Sequence, residues 1–120
     1  MNILNESYLK FQFVYPQEFS RIVELGLINI QPWEILVDER AKLRYEGLKS
    51  RYPDRKIIPF AQRRDCDDVA CWDLNNEGKL VIIHDYASVG YEFVKEYNTF
   101  WDWFREAVDD MIDFVNDEIV

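Results

Sequence analysis

Apolar and polar positions along this chain change period several times, and each change marks a boundary between elements. Phe19, Ile22, Val23 and Leu25 recur at helical spacing after Tyr15-Pro16-Gln17-Glu18. Proline suits the first position of a helix and a glutamate suits its positive end. Gly26 then supplies the left-handed residue that closes one. Leu27 to Ile30 therefore leaves the helix, Gln31-Pro32-Trp33-Glu34 makes a bend, and Trp33 is expected in the core. Ala41, Tyr45, Leu48 and Tyr52 form a thinner stripe on a second predicted helix. Asp38 is expected to cap that helix, Pro53-Asp54 ends it after about Ser50, and its other positions are charged, mostly basic.

The period then falls to two. Ile57, Ile58 and Phe60 make a short apolar piece, Val69 to Leu74 reads as a strand, and Lys79 to Tyr86 returns after the turn Asn75-Asn76-Glu77-Gly78. This is a hairpin signal. The uninterrupted run Leu80-Val81-Ile82-Ile83 suits a central strand covered on both faces. Ala87 to Gly90 turns the chain again. Tyr91, Phe93, Lys95 and Tyr97 then alternate with Glu92, Val94 and Glu96, as a more exposed strand would.

The last element is helical. Thr99 and Asp102 stand at capping-box spacing. Phe100, Trp101, Phe104, Val108, Met111, Ile112 and Val115 fall on one broad face, with Trp103, Ala107 and Phe114 at its edge. The opposite arc holds Asp102, Arg105, Glu106, Asp109, Asp110, Asp113, Asn116 and Asp117. The order of elements predicts a single α+β domain: a mostly antiparallel sheet of about four or five strands, flanked by helices, with a long amphipathic C-terminal helix.

Composition supports a packed core, with 48% apolar residues including 4 Trp, 7 Tyr and 8 Phe in 120 positions. The opening Met1-Asn2-Ile3-Leu4-Asn5-Glu6 has neither a basic start nor an apolar run, and no stretch approaches the ~20 apolar residues a bilayer needs. A cytoplasmic location is expected, with Cys66 and Cys71 reduced.

Charge sharpens the picture. The net charge is −9, yet residues 40–64 hold nine basic and two acidic side chains, while residues 65–120 hold three basic and fifteen acidic ones. An acidic protein repels phosphate, so nucleic acid is not expected as a partner. A basic protein is, because complementary fields speed encounter. The basic segment is expected to pair with the protein's own carboxylates or to give the surface two poles.

Candidate chemistry concentrates in Arg64-Asp65-Cys66-Asp67-Asp68-Val69-Ala70-Cys71, with His84 on the next strand. A zinc site is poorly served by one C-x4-C pair and one histidine. A calcium loop counted from Asp65 would need glycine and glutamate where Ala70 and Asn76 stand. A small metal-dependent hydrolase built on the Asp65–Asp68 loop and His84 is the enzymatic alternative. A dimeric scaffolding domain, assembled through its aromatics, is the structural one. No glycine-rich phosphate loop exists, and nothing marks either cysteine as an activated nucleophile.

Pro32-Trp33, Ile58-Pro59-Phe60-Ala61, Asp67-Asp68-Val69-Ala70-Cys71-Trp72-Asp73 and Phe100-Trp101-Asp102-Trp103 together resemble the SUKH superfamily, the bacterial immunity proteins that share a domain with a fungal cell-wall assembly regulator. The resemblance runs from about Tyr15 to Phe104. It implies a curved, largely antiparallel sheet with helices packed on it. It also implies function by stoichiometric binding of a secreted toxin, often a nuclease, without catalytic residues, cofactor or metal. Charge, rather than any family motif, selects the expected contact residues: Asp65, Asp67 and Asp68, with Asp109, Asp110 and Asp113 as a second patch. The expected partner is a basic toxin domain, bound by a monomer or homodimer in the cytoplasm.

Overall fold

The computed structural model describes Leu9 and residues 13–119. Along the chain run α1 (Gln17–Glu24), β1 (Asn29–Ile30), β2 (Trp33–Ile35), α2 (Asp38–Arg51), β3 (Ile57–Arg63), β4 (Asp68–Asp73), β5 (Lys79–His84), β6 (Phe93–Tyr97) and α3 (Phe100–Ile119). The six strands form one sheet in the order β1-β2-β3-β4-β5-β6, and every neighbouring pair is antiparallel. The α+β class and the long C-terminal helix agree with the sequence pattern. The sheet has six strands where the pattern suggested about four or five, because β1 and β2, two and three residues long, flank the bend at Gln31-Pro32.

Local chemistry explains most boundaries. Gly26 sits at φ +77°, its N–H donates to the Val23 carbonyl, and Leu27 N–H reaches back to Ile22. That pairing satisfies the orphan carbonyls at the end of α1 and requires a residue indifferent to positive φ. Thr99 accepts the Asp102 N–H through its hydroxyl at 3.1 Å, as the capping-box spacing predicts. Asp38 behaves differently from expectation. The N-cap position falls on Val37, and Asp38 itself stands at φ +55° as the first residue of α2. In the β4–β5 hairpin Asp73 accepts the Asn75 N–H, and Glu77 and Gly78 both adopt positive φ to reverse the chain. The returning strand stops at His84 rather than Tyr86, which turns at φ +69°.

The central strands β3, β4 and β5 are buried on both faces. Against α1 and α3 lies the larger cluster, where Trp72 meets the rings of Phe13, Tyr15, Phe19 and Phe60 at centroid distances of 4.5 to 5.3 Å. Trp33, the expected anchor, packs edge-on against Trp103 at 5.4 Å. Such crossed ring geometries add to the area they bury. Against α2 lies a smaller cluster of Leu48, Tyr52, Ile57, Val69, Cys71, Val81 and Ile83. The ladder between β3 and β4 shifts register between Pro59 and Ala61. As a result Phe60 and Ala61 both join the larger cluster, and Gln62 falls opposite Val69, on the α2 side. A bulge re-aims the side chains that follow it, and this one delivers an amide to a polar network described below.

The C-terminal helix corrects one expectation. Trp103 and Ala107, read as the edge of its apolar face, are its buried centre together with Phe100, whereas Trp101, Ile112 and Val115 are exposed. No helix among the described residues is long and apolar enough to cross a membrane.

Candidate functional site

The loop between β3 and β4 and the acidic side of α3 meet at one residue, Arg63. Its Nε and Nη2 both donate to the Asp65 carboxylate at 2.8 Å, its Nη1 lies 3.6 Å from Asp110, and its guanidinium sits over the Trp33 ring at 5.6 Å. Asp110 in turn accepts the Trp33 indole N–H at 3.0 Å. Asp110 therefore belongs to the inner flank of α3, and its assignment to the outer acidic arc is corrected. A carboxylate that satisfies a buried indole and a guanidinium is held by the fold first. The paired Arg63 holds the Asp65 carboxyl below the usual range.

The six expected contact residues divide evenly. Asp65 and Asp110 are tied to Arg63, and Asp68 accepts from His84 Nδ1 at 2.8 Å. That contact raises the His84 pKa. Asp67, Asp109 and Asp113 are exposed, and among the described residues none of their side chains makes a hydrogen bond or ion pair; the backbone carbonyl of Asp67 accepts the Asp85 N–H at 2.9 Å. Arg63 thus ties one carboxylate of the loop, Asp65, to one of the helix, Asp110. Cys66 is exposed and Cys71 is buried. Burial pushes both thiols up, Cys71 well above its ordinary value, so neither is activated. Among the described residues no three His, Cys, Asp or Glu side chains are grouped to hold a metal ion.

Much of the basic segment turns back onto the protein's own acids. Arg40 binds Glu34, Gln62 bridges Glu34 Oε1 and Arg44 Nε at 2.9 Å each, and Arg44 Nη1 reaches Asp85 at 2.7 Å. Arg51 closes the chain with two bonds of 2.6 Å to the same carboxylate and lies 4.1 Å from the centre of the Tyr86 ring. On the other side of α2, Arg55 binds Glu92 at 2.6 Å. Burial alone would raise the Asp85 carboxyl, but the bonds from Arg51 and Arg44 hold it below the usual range. Arg40, Arg44, Arg51, Arg55 and Arg63 pair with the protein's own acids, one of the two roles expected of the basic segment, while Lys49, Lys56 and Arg64 are exposed. Asp85, Glu34 and Gly47 are the residues the sequence reading passed over. Arg40, Arg44, Gly47 and Arg51 follow one another at i, i+4, i+7 and i+11, the spacing of a single helix face. A glycine on a charged stripe was the available signal. Its meaning is steric: a Cβ at Gly47 would overlap Arg51 Nη2. The stripe lines an open groove of about 540 Å³ beside Tyr86.

The described residues thus define an α+β domain with a six-stranded antiparallel meander, a self-paired basic helix and an acidic surface organised by Arg63. No protein-family model, curated protein or solved structure matches the chain.

Proposed function

We propose that the protein is a non-catalytic binding module of the immunity type implied by its resemblance to the SUKH superfamily, and that it acts in the cytoplasm by capping a basic, nuclease-type toxin domain. The observation that carries this reading is the contact of Arg63 with both Asp65 of the loop and Asp110 of the helix, which brings the two acidic segments together. Asp67, Asp109 and Asp113 present open negative charge there, while Asp65, Asp68 and Asp110 hold the surface in shape. A nuclease site is built to receive phosphates, and a rigid array of carboxylates can occupy it instead. Open, unpaired carboxylates steer the approach of a basic partner, whose cations offset the cost of taking them out of water.

The test is capture at low salt from the native host's lysate, using the intact protein and an Asp67→Asn/Asp113→Asn variant as baits. The expected result is one basic protein with a toxin-like domain, recovered near one-to-one, released by salt, and depleted at least ~10-fold by the variant. Equal recovery by both baits, or recovery that salt does not disturb, would overturn the acidic surface as the interface.

A further inference from the structure

The C-terminal helix carries more apolar surface than its own domain covers. Phe100, Trp103 and Ala107 are buried against the sheet and α1. About a third of a turn away, Trp101, Val108, Ile112 and Val115 follow one another at steps of seven, four and three residues. Those steps keep side chains in line along a helix, as in a coiled-coil seam. Trp101, Ile112 and Val115 are 41%, 49% and 41% exposed. From Trp101 to Val115 the line is about 21 Å long. Single exposed apolar residues need no explanation, but an aligned set headed by tryptophan marks an interface.

The rim says what covers it. On the solvent side the line is bordered by Arg105 and Asp109, both exposed. Among the described residues neither makes an ion pair or hydrogen bond. They stand four residues apart but in the less favourable order for pairing within one helix. A surface that binds its own copy must be complementary to itself. One cation and one anion placed about a central apolar residue meet that condition, while a basic partner would need a rim of carboxylates alone.

We propose that this line is a self-association seam, in which two copies pair their α3 helices antiparallel about a two-fold axis at Val108. Trp101 of each copy then packs against Val115 of the other, Val108 meets its own equivalent, and Arg105 of each copy reaches Asp109 of the other. Asp113 lies further around the helix and stays outside the contact, and Asp102, on the same flank as Asp109 but seven residues earlier, falls at the end of the seam. Asp109 is shared with the acidic surface proposed above, so partner capture and self-association compete there.

Sedimentation equilibrium of the intact chain tests the seam. The mass should rise with concentration from 14.5 kDa toward twice that value, with a Kd on the order of 10 μM for a single short seam. Trp101→Lys should weaken association at least ~30-fold. Arg105→Asp and Asp109→Arg should each weaken it, and the two together in one chain should restore it. Circular dichroism verifies that each variant keeps its helices. A monomer mass maintained to about 300 μM, association indifferent to Trp101→Lys, or a charge swap that fails to restore it would each overturn the proposal.

Discussion

Replacing glycine by alanine inside a helix ordinarily stabilises a protein by about 1 kcal/mol, because alanine has less backbone freedom to lose. Gly47 lies within α2 and should obey that rule on propensity alone. The structure reverses the sign. A methyl group at this position would overlap Arg51 Nη2, and Arg51 is held in place by two bonds of 2.6 Å to Asp85, a side chain with no solvent exposure. Arg51 must give way for the methyl to fit. Hydrogen bonds to charged groups contribute about 1.5–3 kcal/mol each. Arg44 remains on Asp85, and the Arg51 side chain is itself 28% exposed, so the discounted loss is about 2 kcal/mol for the pair of bonds. Set against the propensity gain, Gly47→Ala should destabilise the protein by about 1 kcal/mol. Urea denaturation followed by tryptophan fluorescence measures this directly. The decisive control is an Arg51→Met background, where the obstruction is gone and Gly47→Ala should recover its ordinary gain. If Gly47→Ala stabilises the wild type as much as it stabilises the Arg51→Met protein, the steric account of this glycine is refuted.

Two further outcomes follow from the same geometry. Asp85→Asn leaves two partly buried guanidinium groups without their counter-charge and should cost about 3 kcal/mol near neutral pH. Since the Asp85 carboxyl is held below its usual range, its contribution is present above the unfolded-state value and fades as pH falls through the folded one. The gap between wild type and variant, measured by denaturant titration, should therefore narrow on acidification; a constant gap would contradict this. His84 titrates in the opposite sense. Asp68 raises its pKa, so the stability it contributes is complete below the ordinary histidine value and is lost as pH rises through the raised one. Proton NMR of this single histidine should show the raised value, and Asp68→Asn should lower it; an unmoved titration would remove Asp68 as the cause.

The hairpin of β4 and β5, the buried run at 80–83 and the C-terminal helix were all legible in the sequence, because each carries a long periodic pattern. β1 and β2 were not, since two or three residues are too few to display a period of two. The helix shows a subtler limit. Its pattern correctly showed an apolar arc, but the arc is wide enough to serve two surfaces, and only the position of the sheet decides that Trp103 points inward and Trp101 outward. The charges show a third. Counting placed a basic segment between two acidic ones, yet the partners chosen by Arg44 and Arg51 depend on Asp85, 41 and 34 residues away. Among the expected contact residues, Asp110 was drawn inward by Trp33, whose indole N–H needs an acceptor once buried.

The strand order has a consequence for the growing chain. Each strand pairs with the one synthesised just before it, so the sheet can be complete when Tyr97 has emerged. The roof over its aromatic face comes last: Trp103 and Asp110 reach back to Trp33 across as many as 77 residues. At ordinary translation rates the twenty residues of α3 take roughly 1–4 s to make. For that interval a nascent molecule carries a finished sheet that is only half roofed, with the rings of Phe60 and Trp72 shielded by α1 and the residues just before it. That interval is when a chaperone has something to hold, and it ends when the two tryptophans close on one another.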